Sequence, residues 1–401
     1  MPHETALIAT IAIGLAFAFV GGVIAVRLRL PPLVGYLLAG IAVGPFTPGF
    51  VADADLAPQL AEIGVILLMF GVGVHFSMRD LMSVRWIALP GALAQIAVAT
   101  ALGAGVARLW GWSLGAGLVF GLALSVASTV VLLRALEHRG RLHTGDGRIA
   151  VGWLIVEDLV MVLALVLLPA LARPMAGLPA ANGAGPLWIA LGVTLGQVAI
   201  FVALMLVVGT RVFPWLLDRV ERTGSRELFR LAVISLALGV AFGSAKLFGV
   251  SFALGAFFAG MVINVSDHSH RAATDLQPLQ DAFGVLFFVA VGMLFDPAIL
   301  TRHPFQTLLV VAIIVVGKSL AALGIVLALR YPLRTALAVS AALAQIGEFS
   351  FILAGLGVSL GVLPPAGQSL IVAGALLSIS LNPLVFSIAD RGGVGLCRRR
   401  T

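Results

Sequence analysis

Cysteine is all but missing from this chain of 401 residues. The single Cys397 excludes an internal disulfide and a cysteine-based metal centre. Charge is scarce as well: Asp, Glu, Lys and Arg make up 11% of the residues, against about 25% in an ordinary soluble domain. Lysine occurs twice, at Lys246 and Lys318, and every other basic side chain except the histidines is an arginine. There is no H-E-x-x-H pair and no Walker A loop, so nothing supports a zinc peptidase or an ATP-driven pump. The opening Met-Pro-His-Glu lacks the basic stretch of a secretory signal peptide, so Thr5–Val26 is expected to stay as a span. Hydrophilic segments are short, the longest being Asp218–Arg226 and Asp267–Asp281.

What fills the chain instead is apolar: 60% of the residues are hydrophobic and 46 are glycine. That composition specifies an all-α polytopic membrane protein whose helices approach closely at small residues. Apolar runs between polar breaks define 13 candidate helices, at about 5–26, 32–46, 57–77, 84–108, 113–136, 147–171, 186–209, 228–245, 249–265, 280–296, 305–329, 333–360 and 366–389. Arginines test the count through the positive-inside rule. Arg27 and Arg29, Arg79 and Arg85, Arg139 and Arg141, Arg211, Arg219, Arg222 and Arg226, Arg271, and Arg330 and Arg334 follow alternate runs, and Arg391 and Arg398–Arg400 close the chain. The intervening connections hold one basic residue or none. The pattern places the N-terminus outside and the C-terminus in the cytoplasm, and it accounts for the net charge of +7 without a nucleic-acid partner.

Thirteen helices divide as six, a connector and six. The expected organisation is a first repeat at 1–183, a linker helix at 184–226, and a second repeat with a short cytoplasmic tail at 227–401. A single connecting span makes the repeats inverted, a common transporter architecture with its site at the midplane.

The polar residues at mid-membrane depth carry the chemistry. Asp158 lies 12 residues after Asp146 in GDGRIAVGWLIVEDLVMV, about 18 Å along a helix and so near the middle of a ~30 Å core. A charge there costs about 2.5–3.5 kcal/mol even on lenient scales, so the default reading of Glu157 and Asp158 is functional; the bland alternative is that they cap a helix starting beside them. Lys318 is equally deep in the eleventh run. An ammonium can release its proton when desolvated, which a guanidinium does not readily do; the alternative is a lysine snorkelling to an interface. Ser125, Ser128 and Thr129 in the fifth run, and Gln345, Gly347 and Glu348 in the twelfth, occupy corresponding places in the two repeats. Small and polar residues at that depth suit interrupted helices whose freed backbone groups need partners, although serines in intact helices also bond back to their own backbone. The acid of the sixth run and the ammonium of the eleventh are then expected to balance opposite half-helix dipoles, and to pair in one conformational state. Glu62, Asp281 and His75 read as boundary residues. Gly357-Val-Ser-Leu-Gly361 matches G-x-S-x-G but lacks its strand-turn-helix setting.

These residues resemble the monovalent cation:proton antiporter-2 family, most of all its Kef-type and YbaL-type potassium/proton branch. The matching stretches are 30–45, 60–81, 124–132, 156–162, 252–263, 287–293, 317–320 and 344–353, including VEDLVMV, GKSL and AQIGEFSFIL. The resemblance implies a sodium/proton-antiporter-like fold. It implies a homodimer of 13-helix protomers in a bacterial-type inner membrane, each with a dimerisation part and a moving core, and crossed, broken helices 5 and 12. It makes Asp158 the carboxylate shared by cation and proton, and Lys318 the core-domain basic residue. Relatives usually carry Asn, Asp or Gln where this chain has Glu157. Kef-type proteins are gated by a cytoplasmic nucleotide-binding domain; the chain stops just after its last span, as if such a domain had been removed, so nucleotide regulation is expected only through a domain or subunit outside it.

The expected function is exchange of K+, or Na+, for H+ by alternating access, with no other cofactor and no enzymatic activity. Protonated, a buried carboxyl moves through the core at little cost; ionised, it holds a dehydrated cation; bare and charged, it resists crossing. The rival from another class is a K+ efflux channel gated by the missing domain. A channel needs a carbonyl filter or acidic rings, and no T-V-G-Y-G-like loop is present. An intramembrane enzyme is disfavoured because no histidine stands near a nucleophile pattern.

Overall fold

The computed structural model describes residues 3–48, 56–76, 78–142, 144–175 and 187–397. Parts of two sequence expectations lie outside these residues: the start of the linker and the Arg398–Arg400 tail.

All regular structure among the described residues is helical. The first half comprises α1 (His3–Arg27), α2 (Pro32–Val43), α3 (Leu56–His75), α4 (Met78–Leu109), α5 (Leu114–Ser125), α6 (Thr129–Glu137) and α7 (Gly145–Met175). Then come α8 (Leu187–Leu204), a π turn (Met205–Gly209) and α9 (Thr210–Glu221). The second half comprises α10 (Arg226–Phe248), α11 (Phe252–Asn264), α12 (Ser269–Met293), the short α13 (Ile299–Arg302), α14 (Pro304–Ala312), a second π turn (Ile313–Gly317), α15 (Lys318–Ala328), α16 (Leu333–Leu343), α17 (Glu348–Ser359) and α18 (Pro365–Cys397). Ten helices among the described residues are long and apolar enough to cross a membrane, or eleven when the pair α16 and α17, bent by 45°, counts as one span. α2 and α11 are apolar but shorter.

Local sequence explains the ends. Ser113, Ser225 and Ser251 each accept a hydrogen bond from the backbone three residues on, capping α5, α10 and α11. Arg29 and Arg330 adopt left-handed backbone, with φ of 61° and 63°, and each stands two residues before a proline that introduces the next helix.

Several expected boundaries move because helix continues past the apolar run. The linker helix extends through the π turn to Glu221, and α12 begins at Ser269 rather than near 280. These polar turns hold each other: Arg271 pairs with Glu221 at 2.6 Å, Arg230 with Asp275 at 3.1 Å, and His268 meets Asp218 at 2.6 Å. α18 likewise runs on beyond 389.

The helices sort into two groups that interleave along the chain. α1, α2, α3, α10, α11 and α12 pack mainly on one another; α4–α7 and α14–α18 form the other group. In the first group helices touch backbone to backbone where glycines face each other. Gly40 of α2 lies against Gly292 of α12, and Gly73 of α3 against Gly260 of α11; a Cβ at any of the four would strike main-chain atoms.

Candidate functional site

The second group is built around two interruptions. α5 stops at Ser125; Val126 is extended (φ −101°, ψ 130°), and α6 restarts at Thr129 under the cap of Ser128. α16 stops at Leu343, and α17 restarts at Glu348 after Gly347. Each break frees carbonyls on one side and amides on the other, and lipid supplies no partner for them. The breaks therefore satisfy each other. Ser128 N–H donates to Gln345 Oε1 at 2.9 Å, and Gln345 Nε2 donates to Ser128 O at 3.1 Å. Ser128 Oγ donates to Glu348 Oε2 at 3.0 Å. Gly347 is where the two segments touch: a Cβ there would stand 2.6 Å from Ser128 Cα.

Four half-helix ends converge on this crossing, and each meets a side chain of suitable polarity, charged at three of them and a neutral donor at the fourth. At the negative C-terminal ends, Lys318 Nζ donates to Gln345 O at 3.1 Å and Gln95 Nε2 donates to Ser125 O at 2.9 Å. At the positive N-terminal ends stand carboxylates. Glu348 is the first residue of α17. Asp158 Oδ2 accepts from the hydroxyl of Thr129, first residue of α6, at 3.4 Å. Glu157 Oε2 accepts from Ala127 N–H at 2.8 Å, inside the α5–α6 break.

All eight candidate polar residues lie at or beside the crossing, in different capacities. Ser128 and Gln345 knit the breaks together. Ser125 contributes its carbonyl, while its hydroxyl bonds back to Leu122 O at 2.7 Å. Glu157, Lys318 and Gln345 are fully buried, and Glu348 and Asp158 nearly so. No protein donor among the described residues reaches Glu157 Oε1 or Asp158 Oδ1. In the state described, Lys318 forms no ion pair within 4.0 Å among the described residues; its ammonium donates to Gln345 O instead. Away from it, Glu62 and Asp281 are exposed, His75 bonds to Gly71 O at the end of α3, and Ser359 closes α17 by donating to Leu356 O.

Three participants escaped the sequence reading. Gln95 sits fully buried in α4; Trp153 Nε1 donates to its Oε1 at 3.3 Å; Asn382 of α18 donates to Ala341 O at 2.9 Å. Gln95 and Asn382 are polar amides deep in apolar runs, so the depth argument that singled out Lys318 would have found them.

Carboxyl, hydroxyl and carbonyl oxygens gathered at one buried crossing have the chemistry of a hard-cation site. Among the described residues no three His, Cys, Asp or Glu side chains form a group able to hold a resident metal. Interrupted helices meeting at buried acids, within a bundle of this size, define a secondary cation/proton antiporter.

The comparisons with known proteins agree. The chain belongs to the sodium/hydrogen exchanger family, whose transmembrane model matches residues 15–389, and within it to the monovalent cation:proton antiporter-2 group of Kef type. It is 61% identical over 391 residues to YbaL of Escherichia coli (strain K12), whose name assigns it provisionally to cation/proton antiport; the match covers 98% of this chain and 70% of that protein. It is 32% identical over 384 residues to K(+) efflux antiporter 4 of Arabidopsis thaliana, covering 95% of this chain and 64% of the plant protein. In fold it is similar to the sodium proton antiporter MjNhaP1 from Methanocaldococcus jannaschii, with a TM-score of 0.70 and 16% identity over 96% of this chain and 97% of that one.

Proposed function

We propose that this chain exchanges K+ for H+ at Asp158 by alternating access. The observation that carries the reading is Asp158 itself: an acid with one buried, unpartnered oxygen, held by Thr129 at the positive end of a broken helix. When it is protonated the crossing carries one negative charge fewer, and the core can move. When it is ionised the free oxygen, Thr129 and neighbouring carbonyls offer a cation its ligands. Glu157, Gln345, Ser128 and Lys318 hold the two breaks in register while the substrates compete. Glu348 neutralises the start of α17. Potassium is favoured because the plant relatives are named K(+) efflux antiporters. Sodium has its own support in the description of the family and in the sodium proton antiporter that shares the fold.

The proposal includes thirteen crossings in two inverted six-helix repeats, at 1–183 and 227–401, joined by the linker at 184–226. The neighbour pattern supports this. α1 on α2 is matched by α10 on α11, α4 on α5 by α15 on α16, α4 on α7 by α14 on α18, and α3 on α11 by α12 on α2. The glycine contacts repeat in the same way, Gly40 with Gly292 and Gly260 with Gly73. The group carrying the two breaks would be the moving core, and the glycine-packed group the frame. A homodimer in a bacterial inner membrane, with the N-terminus outside and the C-terminus cytoplasmic, belongs to the same reading. The spans at 7–27 and 192–221, among the least buried within the protomer, offer apolar surface that a second copy or lipid would cover. Gating by a nucleotide-binding domain or subunit is proposed by analogy with the Kef type.

Reconstitution in liposomes with an internal pH dye tests it, with K+, Na+ and Li+ offered in turn. Asp158→Asn is expected to abolish cation-driven proton movement while the protein still inserts and runs as a single species. Retained exchange in that variant would remove Asp158 from the mechanism.

A further inference from the structure

The two C-terminal half-helix ends at the crossing are treated alike by side chains from matching elements. α16 ends on Lys318 of α15; α5 ends on Gln95 of α4. Both side chains are wholly buried, and both donate to a backbone carbonyl of the break, at 3.1 and 2.9 Å. One donor is an ammonium and the other a neutral amide.

The Gln95 amide has one orientation. An indole N–H only donates, so the atom facing Trp153 Nε1 is the amide oxygen, and the NH2 is turned to Ser125 O. Gly91, one turn earlier on α4, makes room for the indole; a Cβ there would collide with the Trp153 ring. Trp153 lies one helical turn before Glu157 on α7, and Glu157 accepts from Ala127 N–H. A closed circuit results: Ser125 O, Gln95, Trp153, one turn of α7, Glu157, Ala127 N–H, and back through Val126 to Ser125. It ties the unwound segment 126–128 to the helix that carries Asp158, with Thr129 immediately beyond. A carbonyl at a helix end is also a natural ligand for an alkali cation, and Gln95 keeps that of Ser125 engaged elsewhere.

We propose that Gln95 is a positioning residue of the ion site, the neutral counterpart of Lys318, and that by occupying Ser125 O it sets the cation preference. The inference rests on the reading of Asp158 as the exchange site. No titratable group is among the hydrogen-bond partners of Gln95, so its influence passes through geometry rather than through charge.

The test compares Gln95→Leu, Gln95→Glu and Trp153→Phe with wild type and Asp158→Asn in liposomes, measuring apparent KM, maximal rate and the K+ to Na+ rate ratio at several pH values. Gln95→Leu is expected to raise the apparent KM about tenfold, which is about 1.4 kcal/mol, and to move the K+ to Na+ ratio by a similar factor with little change in maximal rate. Gln95→Glu has the same shape. Protonated, it still donates to Ser125 O; ionised, it repels that carbonyl. It should therefore match wild type at acid pH and behave as Gln95→Leu at alkaline pH, relative to wild type at the same pH. Trp153→Phe removes only the orienting donor; it should shift the ratio the same way but less, and the double variant with Gln95→Leu should be no worse than Gln95→Leu alone. Unchanged KM and ion ratio in Gln95→Leu would overturn the inference. Should that variant fail to fold, unchanged ratios in both Trp153→Phe and Gln95→Glu would overturn it equally. If wild type and Asp158→Asn behave alike, the exchange reading itself falls and takes this inference with it. If Asp158→Asn alone is dead and the Gln95 variants are silent, only the role of Gln95 is refuted.

Discussion

Replacing Gly347 by alanine asks whether the crossing depends on backbone contact. The added Cβ would stand 2.6 Å from Ser128 Cα and 2.8 Å from Ser128 Oγ, and closer still to Ser128 Cβ. Carbon atoms rest at about 3.5–4.0 Å, so the two segments would have to part by about 1 Å. That opening would stretch the 2.9 Å bond from Ser128 N–H to Gln345 and the 3.0 Å bond from Ser128 Oγ to Glu348 past useful length. Leaving buried groups unpaired costs roughly 1–3 kcal/mol each, and overpacking adds roughly 1–3 kcal/mol. The total, about 3–9 kcal/mol, is comparable to the 5–15 kcal/mol that holds a typical domain together. Gly355, on α17, has no such neighbour within 4 Å and provides the matched control. Alanine there should be neutral or stabilising by about 0.5–1 kcal/mol, because glycine is a poor helix former. Thermal melts of the purified protein, followed by the liposome assay, measure both variants. Gly347→Ala should melt well below wild type and fail to exchange, while Gly355→Ala does neither. Equal melting temperatures and rates for the two would show that the close approach at Ser128 is dispensable.

Other expectations follow from the same contacts. Lys318→Leu should lower the melting temperature, since it strands Gln345 O at about 1–3 kcal/mol, and should stop exchange. Lys318→Gln, which keeps a donor in place of the ammonium, should fold nearly as well but transport more slowly; equal melting of the two would refute the carbonyl contact as a source of stability. Gly73→Val places a branched side chain against the backbone of α11 beside Gly260, and should cut the yield of monodisperse protein, as judged by size-exclusion chromatography.

Much of the architecture was legible because lipid imposes simple arithmetic. A run of about 20 apolar residues is a span, and a polar side chain far from both its ends needs a reason to be there. That logic singled out Ser128, Asp158, Lys318 and Glu348, and it suggested that helices 5 and 12 are interrupted. It was less able to say what each group touches. Whether the Lys318 ammonium meets Asp158 or a backbone carbonyl depends on helix rotation and on where α16 stops, and hydropathy records neither. Gln95 was passed over because a neutral amide does not stand out as a charge does. The start of α12 was misplaced because its polar turns look like loop until their ion pairs with α9 and α10 are seen.

The π turn at Ile313–Gly317 ends on the residue immediately before Lys318. A π turn holds one residue more than the ladder around it, and each residue of an α-helix advances the face by about 100°. That surplus residue acts as a swivel: it leaves the length and oiliness of the span almost untouched while deciding which way its lone cation is aimed. Two relatives with equally greasy eleventh spans, one carrying the swivel and one not, would turn the same lysine toward different neighbours, and no hydropathy plot would tell them apart.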